Sequence, residues 1–464
     1  MYERDTIAAI ATPPGQGGIA IVRISGPQAE TIARQVFVFS HSPEDLLSHR
    51  FYFGRIIDPV TRSPLDQGLL VCMRSPQSYT GEDVVEIHCH GGSWLSRRVL
   101  TVVLDQGARL ATPGEFTKRA FLNSRIDLSQ AEAVLDLIQA RSDQGLILAW
   151  EQLSGRLSEA CAALRERLIA LTAYIEAFID FPEEDIPERT QTELAHELHT
   201  LINDVDSLGA TFSQGKVYRE GISTVIIGKP NVGKSSLLNL LAGSERAIVT
   251  AIPGTTRDVL EETVVVGGVP LVIWDTAGLR HPTDEVERIG VERARAGLRE
   301  AELVLAVFDG SRPFDKDDET VCAAIADKKV VIPVFNKIDL SPVVNALDLE
   351  KRLQAGPLVQ LSAKSGRGLE NLLERIQQAA LGAQSVFVQG QDRRAIVSRV
   401  RHRDALSKTV QNLRQASTSV TQGMPLELVA VDLRAALDHL GEITGHVSTE
   451  DILDKVFREF CIGK

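Results

Sequence analysis

The sequence predicts a multidomain protein in which a helical region is interrupted by an α/β domain with a mainly parallel sheet. Residues 128–181 contain no proline and carry apolar residues at three- and four-residue steps, which is the spacing of a helix. Residues 393–440 repeat this helical pattern. Between the two blocks, short β-rich runs alternate with helical stretches, as in a parallel sheet with crossover helices. These runs are STVIIG, LVIWD, LVLAVFD, VVIPVFN and LVQLS.

Length and composition agree with about three globular domains, at roughly 100–200 residues per domain. The chain has 464 residues, 44% hydrophobic and 24% charged, which is too apolar for a disordered protein. Its five cysteines are far apart and form no CxxC pair, which suits a reducing compartment and gives no zinc-finger spacing. The charged N-terminus and the short apolar runs argue against a signal peptide or a membrane span. We therefore expect a cytoplasmic protein that has no membrane association.

The net charge of −12 is concentrated in one segment. Residues 121–220 carry 8 basic and 18 acidic side chains, whereas residues 1–120 carry 12 of each. An acidic balance argues against a protein that coats nucleic acid by bulk electrostatics. Because the excess is local, it says little against an RNA substrate held by a restricted patch or by a partner.

The first strand-like run of the α/β domain leads into a phosphate-binding loop. Residues 228–235 read GKPNVGKS, which matches GxxxxGK[ST] between a strand and a helix. The backbone N–H groups of such a loop converge on the phosphates. Lys234 would neutralise the β- and γ-phosphates, and the Ser235 hydroxyl would ligate Mg²⁺. The predicted contacts with the nucleotide are Asn231, Val232, Gly233, Lys234, Ser235 and Ser236.

Further motifs follow in the order expected of a Ras-like P-loop G domain. Asp275 of DTAG lies where a carboxylate meets Mg²⁺ through water, and Thr256 of PGTTRD would add its hydroxyl to the ion. Asp339 of NKID can accept two hydrogen bonds from guanine that adenine cannot donate. The SAK motif at 362–364 would close over the base. These motifs predict GTP contacts at Thr256, Asp275, Thr276, Ala277, Gly278, Asn336, Lys337, Asp339, Ser362, Ala363 and Lys364.

The residue after DTAG departs from the Ras-like pattern. Ras-like enzymes carry a water-orienting glutamine at this position, and here it is Leu279. Leucine cannot orient water, so the attacking water must be placed by a different side chain or by a partner.

The chain resembles the MnmE (TrmE) family over nearly its whole length. The family's members are bacterial and organellar GTPases of tRNA uridine-5-carboxymethylaminomethyl synthesis. The resemblance rests on motifs that fall in order across three otherwise unlike segments, together with the GTPase motifs above. These are DTIAAIATPPGQGGIAIVRISG, SYTGEDVVEIHCHGG, TPGEFTKRAFLNSRIDLSQAEAV, FPEEDIP and the C-terminal CIGK.

The resemblance implies a domain organisation and an activity. It implies an N-terminal α+β domain (1–120) for folate binding and dimerisation, a discontinuous helical domain (121–220 and 381–464) and an inserted G domain (221–380). Members are homodimers that hydrolyse GTP to GDP and phosphate. With the flavoprotein MnmG and a 5-formyl-tetrahydrofolate, or a related one-carbon folate, they form 5-carboxymethylaminomethyluridine at the wobble position (U34) of certain tRNAs.

The resemblance also implies activation by K⁺. The K⁺ ligands would be Asn231, Thr250, Ile252 and Thr255, of which Thr250 and Thr255 would also contact GTP. Amide and carbonyl oxygens suit a weakly hydrated cation, whose charge would replace that of an arginine finger. The catalytic acid of the family falls at Glu287, which would orient the attacking water. On the residues alone, the DEVER run around Glu287 is more typical of a solvated helix start.

The folate contacts implied by the resemblance are Arg23, Glu86, Arg125 and Lys464. A cation can pair with the glutamate tail of folate, and a carboxylate can accept from the N–H groups of the pterin. The family often has lysine where this chain has Arg125, which keeps the charge and changes the geometry. On the residues alone, Arg23 reads as a surface arginine on a strand. Cys461 lies where members place a cysteine near the folate, and a buried thiol with a structural role is an equal alternative.

Two further clusters have more than one interpretation. His88 and His90 would share one face of a strand while Cys89 points to the other, which disfavours a metal site. Five arginines near the C-terminal helical block could touch tRNA, although a solvated helix face is the favoured interpretation. They are Arg393, Arg394, Arg399, Arg401 and Arg403.

Two alternative functions belong to other classes. One is a Ras-like binding switch, such as a ribosome-assembly factor, whose N-terminal segment is only a scaffold. The other is a folate-dependent one-carbon transferase in which GTP is regulatory. Leu279 and Asn231 favour a cation-assisted GTPase over a slow switch.

Overall fold

The structure is a computed structural model, which describes most of the chain and divides into two compact units. Each unit is described by itself. The described residues are 5–41, 44–181, 189–244, 262–274, 298–328, 330–341, 350, 356–382 and 394–464. The first unit comprises Met1–Leu135, Cys161–Ile169 and Leu437–Lys464, and the second comprises Asp136–Ala160 and Ala170–Ala436.

Thirteen strands and fourteen helices lie within the described residues. The strands are β1 (Ile7–Ile10), β2 (Ile19–Ser25), β3 (Phe37–Phe39), β4 (Arg50–Ile57), β5 (Pro64–Met73), β6 (Val84–His90), β7 (Arg109–Leu110), β8 (Ile222–Ile227), β9 (Glu262–Val266), β10 (Val269–Ile273), β11 (Leu303–Asp309), β12 (Val331–Asn336) and β13 (Val359–Gln360). The helices are α1 (Ala29–Val36), α2 (Ser93–Asp105), α3 (Glu115–Leu122), α4 (Leu128–Gln139), α5 (Asp143–Leu153), α6 (Arg156–Asp180), α7 (Gln191–Ala210), α8 (Phe212–Glu220), α9 (Lys234–Ser244), α10 (Lys316–Ile325), α11 (Leu369–Leu381), α12 (Val400–Thr421), α13 (Leu426–Thr444) and α14 (Glu450–Arg458).

A seven-stranded sheet forms the framework of the first unit. Its order is β3-β4-β5-β6-β2-β1-β7, and neighbouring strands are antiparallel except for β1 and β7. The period-2 alternation of β6 buries Ile87 and Cys89 against α1 and α2 and turns Glu86, His88 and His90 to the opposite face. The prediction that His88 and His90 share a face is therefore confirmed.

The C-terminal residues of the chain pack into the same unit. Phe457 of α14 joins Leu128 and Leu135 in a small apolar core. After this helix, Gly463 adopts a left-handed φ of 99° and lies so close to β1 that a Cβ on it would be 2.2 Å from the Ile10 carbonyl oxygen. The chain therefore ends against the first strand of its own N-terminal sheet.

A six-stranded sheet forms the framework of the second unit. Its order is β13-β12-β11-β8-β10-β9, parallel except for the antiparallel edge strand β9. Separate apolar clusters cover its two faces, as a parallel sheet requires. The five β-rich runs of the sequence form β8, β10, β11, β12 and β13, which confirms the predicted α/β fold class. Strand β9 was not predicted.

The long helical stretch predicted over residues 128–181 is three helices. Ser142 interrupts the pattern because its hydroxyl accepts a hydrogen bond from the Gly145 N–H at 3.1 Å and caps α5. Gly155 interrupts it again with a φ of 92°, just before α6. The apolar periodicity runs through both breaks, so it predicted the helical structure and did not locate the breaks. No helix in the described part of the chain is long and apolar enough to cross a membrane.

Helices of the second unit extend the core of its sheet. Leu148 of α5 and Tyr218 of α8 are buried in the same apolar cluster as the strands. Farther along the unit, α7 packs along α12. The six-stranded sheet therefore shares an apolar core with helices of this unit and is not joined to them by the chain alone.

Candidate functional site

The predicted phosphate loop connects β8 to α9 in the second unit. Gly228 has a φ of 155°, and a Cβ on it would lie 2.4 Å from the Val307 carbonyl oxygen on β11. Gly233 has a φ of 102°, and a Cβ on it would lie 2.3 Å from Asn336 Nδ2. Both glycines are needed because the loop turns tightly and packs directly on its neighbours. The strand–loop–helix context that the motif requires is present.

The ammonium of Lys234 lies over this loop. Its Nζ donates hydrogen bonds to the carbonyl oxygens of Gly228, at 2.9 Å, and Lys229, at 3.0 Å. The side chain thus points back along the loop from the first turn of α9. Positive charge and the N-terminus of α9 are combined at one place, which suits an anionic ligand.

Asn336 and Lys337 of the NKID motif tie the phosphate loop to the rest of the site. Asn336 is buried; its Nδ2 donates to the Val232 carbonyl oxygen at 2.8 Å, and its Oδ1 accepts from the Ala363 N–H at 2.9 Å. Lys337 Nζ donates to the Asn231 carbonyl oxygen at 2.7 Å. The phosphate loop, the NKID motif and the SAK motif therefore meet, although the first and the last are more than a hundred residues apart in the sequence.

Asp339 is held as an exposed carboxylate at the end of the same motif. Its Oδ1 accepts a hydrogen bond from the buried Ser362 hydroxyl at 2.7 Å, which lowers the pKa of Asp339 below its usual value. An ionised carboxylate offers only acceptor oxygens, which is what the N–H groups of guanine require. Ser362 thus orients the proposed base-reading side chain.

The described motif residues meet at one edge of the parallel sheet. Residues 228–235 follow β8, residues 336–339 come at the end of β12, and residues 362–364 follow β13. Ligands of open α/β sheets bind at this carboxyl edge. The other predicted site residues lie outside the described residues. They are Thr250, Ile252, Thr255, Thr256, Asp275, Thr276, Ala277, Gly278, Leu279 and Glu287.

A second group of predicted site residues converges in the first unit, around Arg23. Its Nε donates to Glu86 Oε1 at 2.8 Å, and its Nη1 donates to the Gly463 carbonyl oxygen at 3.4 Å. The guanidinium carbon lies 5.5 Å from the ring centroid of Tyr79 and 5.7 Å from that of Phe116. Only 18% of the Arg23 side chain is exposed. The interpretation of Arg23 as a plain surface arginine is therefore wrong.

Glu86 is ionised in spite of its surroundings. Burial raises the pKa of its carboxyl group, but hydrogen bonds from His88 and Arg23 outweigh burial and hold that pKa below its usual value. The contact with His88 joins Nε2 to Glu86 Oε2 at 3.4 Å. Glu86 is thus a fixed acceptor in a partly buried, charged site.

The remaining predicted folate contacts differ in their placement. Lys464 is brought to this site by the chain end, where its carbonyl oxygen accepts the Phe116 N–H at 3.2 Å. Arg125 is exposed and lies beside Gly81, where its Cγ would be 3.2 Å from an added Cβ. Cys461 is exposed, so the alternative of a buried structural thiol is wrong.

Comparisons with known proteins cover the whole chain. A sequence profile described as the MnmE helical domain matches residues 128–461, and a profile described as the N-terminus of the GTP-binding protein TrmE matches residues 6–125. The tRNA modification GTPase MnmE of Geobacter sulfurreducens is 49% identical over 100% of both chains. The chain belongs to the MnmE family of tRNA modification GTPases.

Other relatives give the same assignment. The MnmE proteins of Geobacter metallireducens and Heliobacterium modesticaldum are 46% identical over 100% of both chains and 47% identical over 99% of both chains, respectively. Among solved structures, the G domain of the T. maritima FeoB iron transporter is 30% identical and matches 34% of this chain and 97% of that chain. Its TM-score of 0.26 adds nothing to the assignment, which rests on the full-length relatives.

The arginines considered for RNA contact in this MnmE-family chain do not share one solvated face. Arg399 is buried, and its Nη2 donates to Asp136 Oδ1 at 2.6 Å. Arg403 pairs with Asp404, and its guanidinium lies 4.8 Å from the Phe212 ring centroid. Arg394 is exposed, and Arg393 lies outside the described residues. At Arg399 the favoured interpretation of a solvated helix face is wrong, because the side chain neutralises a buried aspartate.

The histidines of β6 are engaged by carboxylates of the same unit. His90 Nδ1 lies 2.8 Å from Asp66 Oδ1, while Cys89 faces the core and burial raises its pKa to about 11. No group of three metal-ligating side chains was found among the residues that the structure describes.

Sequence reasoning missed several side chains that shape the two sites. Tyr79 and Phe116 flank Arg23, and Asp309 on β11 accepts a hydrogen bond from Lys337 Nζ at 2.6 Å. Lys229, inside the phosphate loop, donates hydrogen bonds to Asp315, which is the N-cap of α10, and to Asp318 within that helix. Lys229 occupies a variable position of the motif, so the motif itself carried no signal for it.

Proposed function

We propose that this chain is a K⁺-activated GTP hydrolase that acts with the flavoprotein MnmG and a folate one-carbon unit. The product would be 5-carboxymethylaminomethyluridine at the wobble position of certain tRNAs. The observation that carries this proposal is the full-length similarity to MnmE proteins, together with the hydrogen bonds that join the NKID motif to the phosphate loop. The cytoplasm is its proposed location, and the four domain segments 1–120, 121–220, 221–380 and 381–464 belong to the same proposal.

The nucleotide site suits GTP in its charge and donors. Asp339 would read the base, Lys234 would neutralise the β- and γ-phosphates, and the loop N–H groups would bind their oxygens. Mg²⁺ prefers oxygen ligands, and Ser235 at the start of α9, with Thr256, would supply hydroxyls to it. Bound there, the ion would neutralise charge that develops on the phosphates.

A K⁺ ion would be held beside the loop by Asn231 together with Thr250, Ile252 and Thr255. The Asn231 side chain is exposed, its backbone has a φ of 62°, and no described residue hydrogen-bonds its amide. Its amide oxygen is therefore free to face a cation. Glu287 would then orient the attacking water that Leu279 cannot hold. With this arrangement the chain would supply in cis the charge that other GTPases take from an arginine finger.

The site around Arg23 suits a flat, polar heterocycle such as the pterin of folate. Glu86 is an ionised acceptor, and Tyr79 and Phe116 supply aromatic surface next to a cation. Pockets of this kind combine apolar walls with a few placed polar groups. Arg23, Arg125 and Lys464 would supply positive charge for the glutamate tail. Cys461, exposed on the same C-terminal tail, would be near the bound folate.

Dimerisation through the first unit is supported by the outer face of its sheet. Ile19, Phe51, Phe53 and Leu69 are between 38% and 64% exposed, and Phe53 and Leu69 are direct cross-strand partners. Large apolar side chains clustered on one exposed face are typical of protein–protein interfaces. A second copy of this chain is the proposed partner.

The proposal is tested by GTP hydrolysis in two salts and by nucleoside analysis of tRNA. Phosphate release should be faster by about tenfold or more in K⁺ than in Na⁺, because only K⁺ matches the proposed ligand set. In a strain that lacks its own MnmE, the chain should restore the modified wobble uridine, and the Lys234→Ala variant should not. Equal rates in both salts would contradict K⁺ activation. Full restoration by Lys234→Ala would favour a folate-dependent transferase with regulatory GTP.

A further inference from the structure

Lys229 is the second residue of the phosphate loop, and its side chain contacts two aspartates that follow β11. Its Nζ donates to Asp315 Oδ2 at 2.8 Å and to Asp318 Oδ2 at 2.6 Å. Only 10% of the Lys229 side chain and 4% of the Asp318 side chain are exposed. The pair with Asp318 is therefore screened less than a surface pair, whereas the Asp315 side chain is 54% exposed.

The two aspartates are held in place by the N-terminus of α10. Asp315 is the N-cap, and its Oδ1 accepts from the N–H groups of Asp317 at 3.0 Å and Asp318 at 3.2 Å. Asp318 Oδ2 accepts in return from the Asp315 N–H at 3.2 Å, which completes a capping box. The carboxylates that bind Lys229 are therefore fixed by the helix and do not depend on long, mobile side chains.

Lys229 is charged in this position. Burial would lower the pKa of its ammonium, but the hydrogen bonds to Asp315 and Asp318 outweigh burial and raise the pKa above its usual value. The two carboxylates thus neutralise the lysine that would otherwise add to the charge of Lys234.

The ion pairs of Lys229 are connected to the phosphate-binding Lys234 through the backbone of Lys229. The carbonyl oxygen of Lys229 accepts a hydrogen bond from Lys234 Nζ at 3.0 Å. Two residues on, the Asn231 carbonyl oxygen is held by Lys337, whose Nζ also bonds Asp309. The first half of the loop is therefore fixed at two points by carboxylates that follow or end β11. Displacing Lys229 would move an acceptor of the phosphate-binding lysine.

We propose that Lys229 is a positioning residue, which holds the phosphate loop ready for the nucleotide by anchoring it to Asp315 and Asp318. This inference rests on the proposed assignment of residues 228–235 as the phosphate site. A loop that is already ordered loses less conformational freedom on binding. The apparent affinity for the nucleotide decreases when a smaller fraction of the chains holds the binding conformation. Loss of the anchor should therefore weaken nucleotide binding without removing any group that touches the nucleotide.

The test compares three variants of the full-length chain with the unaltered chain, using GDP and GTP as ligands. Lys229→Met keeps the length of the side chain and removes its charge, and Lys229→Arg restores a cation that can bond both carboxylates. Lys216→Met is the matched control, because Lys216 also pairs with a carboxylate, Glu302, at 2.8 Å and lies outside the phosphate loop. Dissociation constants, dissociation rates and the number of binding sites per chain are measured for each.

Lys229→Met should bind both nucleotides about tenfold more weakly, because a smaller fraction of the chains would hold the loop in the binding conformation. The number of binding sites per chain should stay unchanged, and Lys229→Arg and Lys216→Met should bind as the unaltered chain does. A lower number of sites with unchanged affinity would mean a purely structural role and would overturn the proposal. Unchanged affinity in Lys229→Met would overturn it as well.

A second variant separates the anchor from other effects. Asp318→Asn removes the charge that faces Lys229, so combining it with Lys229→Met should cost little more affinity than Lys229→Met alone. Fully additive losses would contradict a shared anchor. If the unaltered chain binds neither GDP nor GTP, the phosphate-site assignment itself fails, which is a different outcome from a failed anchor.

Discussion

The two candidate sites of this molecule are assembled in different ways. In the second unit, each described motif of the nucleotide site follows or ends a parallel strand of one sheet, so short motifs suffice to predict it. In the first unit, Arg23 on β2 meets Glu86 on β6 and the carbonyl oxygen of Gly463 near the chain end. The contrast shows that a strand-end site can be read from local sequence, whereas a site closed by a distant chain end cannot.

The largest expected effect tests the nucleotide site of the second unit. Asp339→Asn should lower GTP affinity by about 10⁴-fold, because an NH₂ donor replaces one of the two acceptor oxygens that would face the guanine N–H groups. Xanthosine triphosphate, which offers an acceptor where guanine has the amino group, should bind the variant better than GTP does. Binding is measured by titration with both nucleotides, and the unaltered chain is the control. Retained GTP affinity would remove Asp339 from the base site.

A smaller effect is expected in the first unit. Arg23→Met should weaken binding of 5-formyl-tetrahydrofolate by about tenfold or more, since a charge-assisted contact is lost and Glu86 keeps His88 but loses its arginine partner. The matched control is Arg98→Met, which removes another arginine–carboxylate pair of the same unit, the one with Asp58. Isothermal titration of both variants is the measurement. Equal folate affinities for the two variants would contradict the assignment of the Arg23 site as a pterin-binding site.

The smallest effect concerns pH and again tests the first unit. The folded pKa of Glu86 lies below the value of 4.5 usual for glutamate. A carboxyl group with a depressed folded pKa stabilises the fold above its unfolded pKa, and this contribution is lost as the pH falls through the folded pKa. The stability of the unaltered chain relative to Glu86→Gln should therefore be constant above pH 4.5 and decline below it.

Chemical denaturation of both chains between pH 3 and pH 7 provides the measurement. A stability difference that grows on acidification would have the wrong sign for a paired carboxylate. It would also remove the basis for treating Glu86 as an ionised acceptor.

Much of the fold and of the nucleotide site could be predicted because their signals are local. Apolar runs of strand length located five of the six strands in the second sheet, and GKPNVGKS, NKID and SAK each directly follow or end one of them. The missed strand, β9, is an antiparallel edge whose short ETVVV run has no motif after it. The breaks at Ser142 and Gly155 were not predicted, because the apolar period runs through both of them.

What could not be predicted depends on tertiary contacts. The DKDDE stretch reads as an acidic helix start, and only the packing of α10 beside the phosphate loop pairs it with Lys229. Arg399 reads as one of several basic residues, and only the fold places it against Asp136. The contacts of Arg23 with Tyr79, Phe116 and Gly463 join strands, a loop, a helix and the chain end, so no spacing in the sequence indicates them.

The position of Gly463 and Lys464 has a consequence for truncation and for handling of the protein. A variant that lacks these two residues keeps every N-terminal motif and loses the carbonyl oxygen that Arg23 contacts. Gly463 also has no room for a Cβ beside Ile10. A purification tag joined to Lys464 would extend the chain from this confined place, and an internal surface loop is the safer point of attachment.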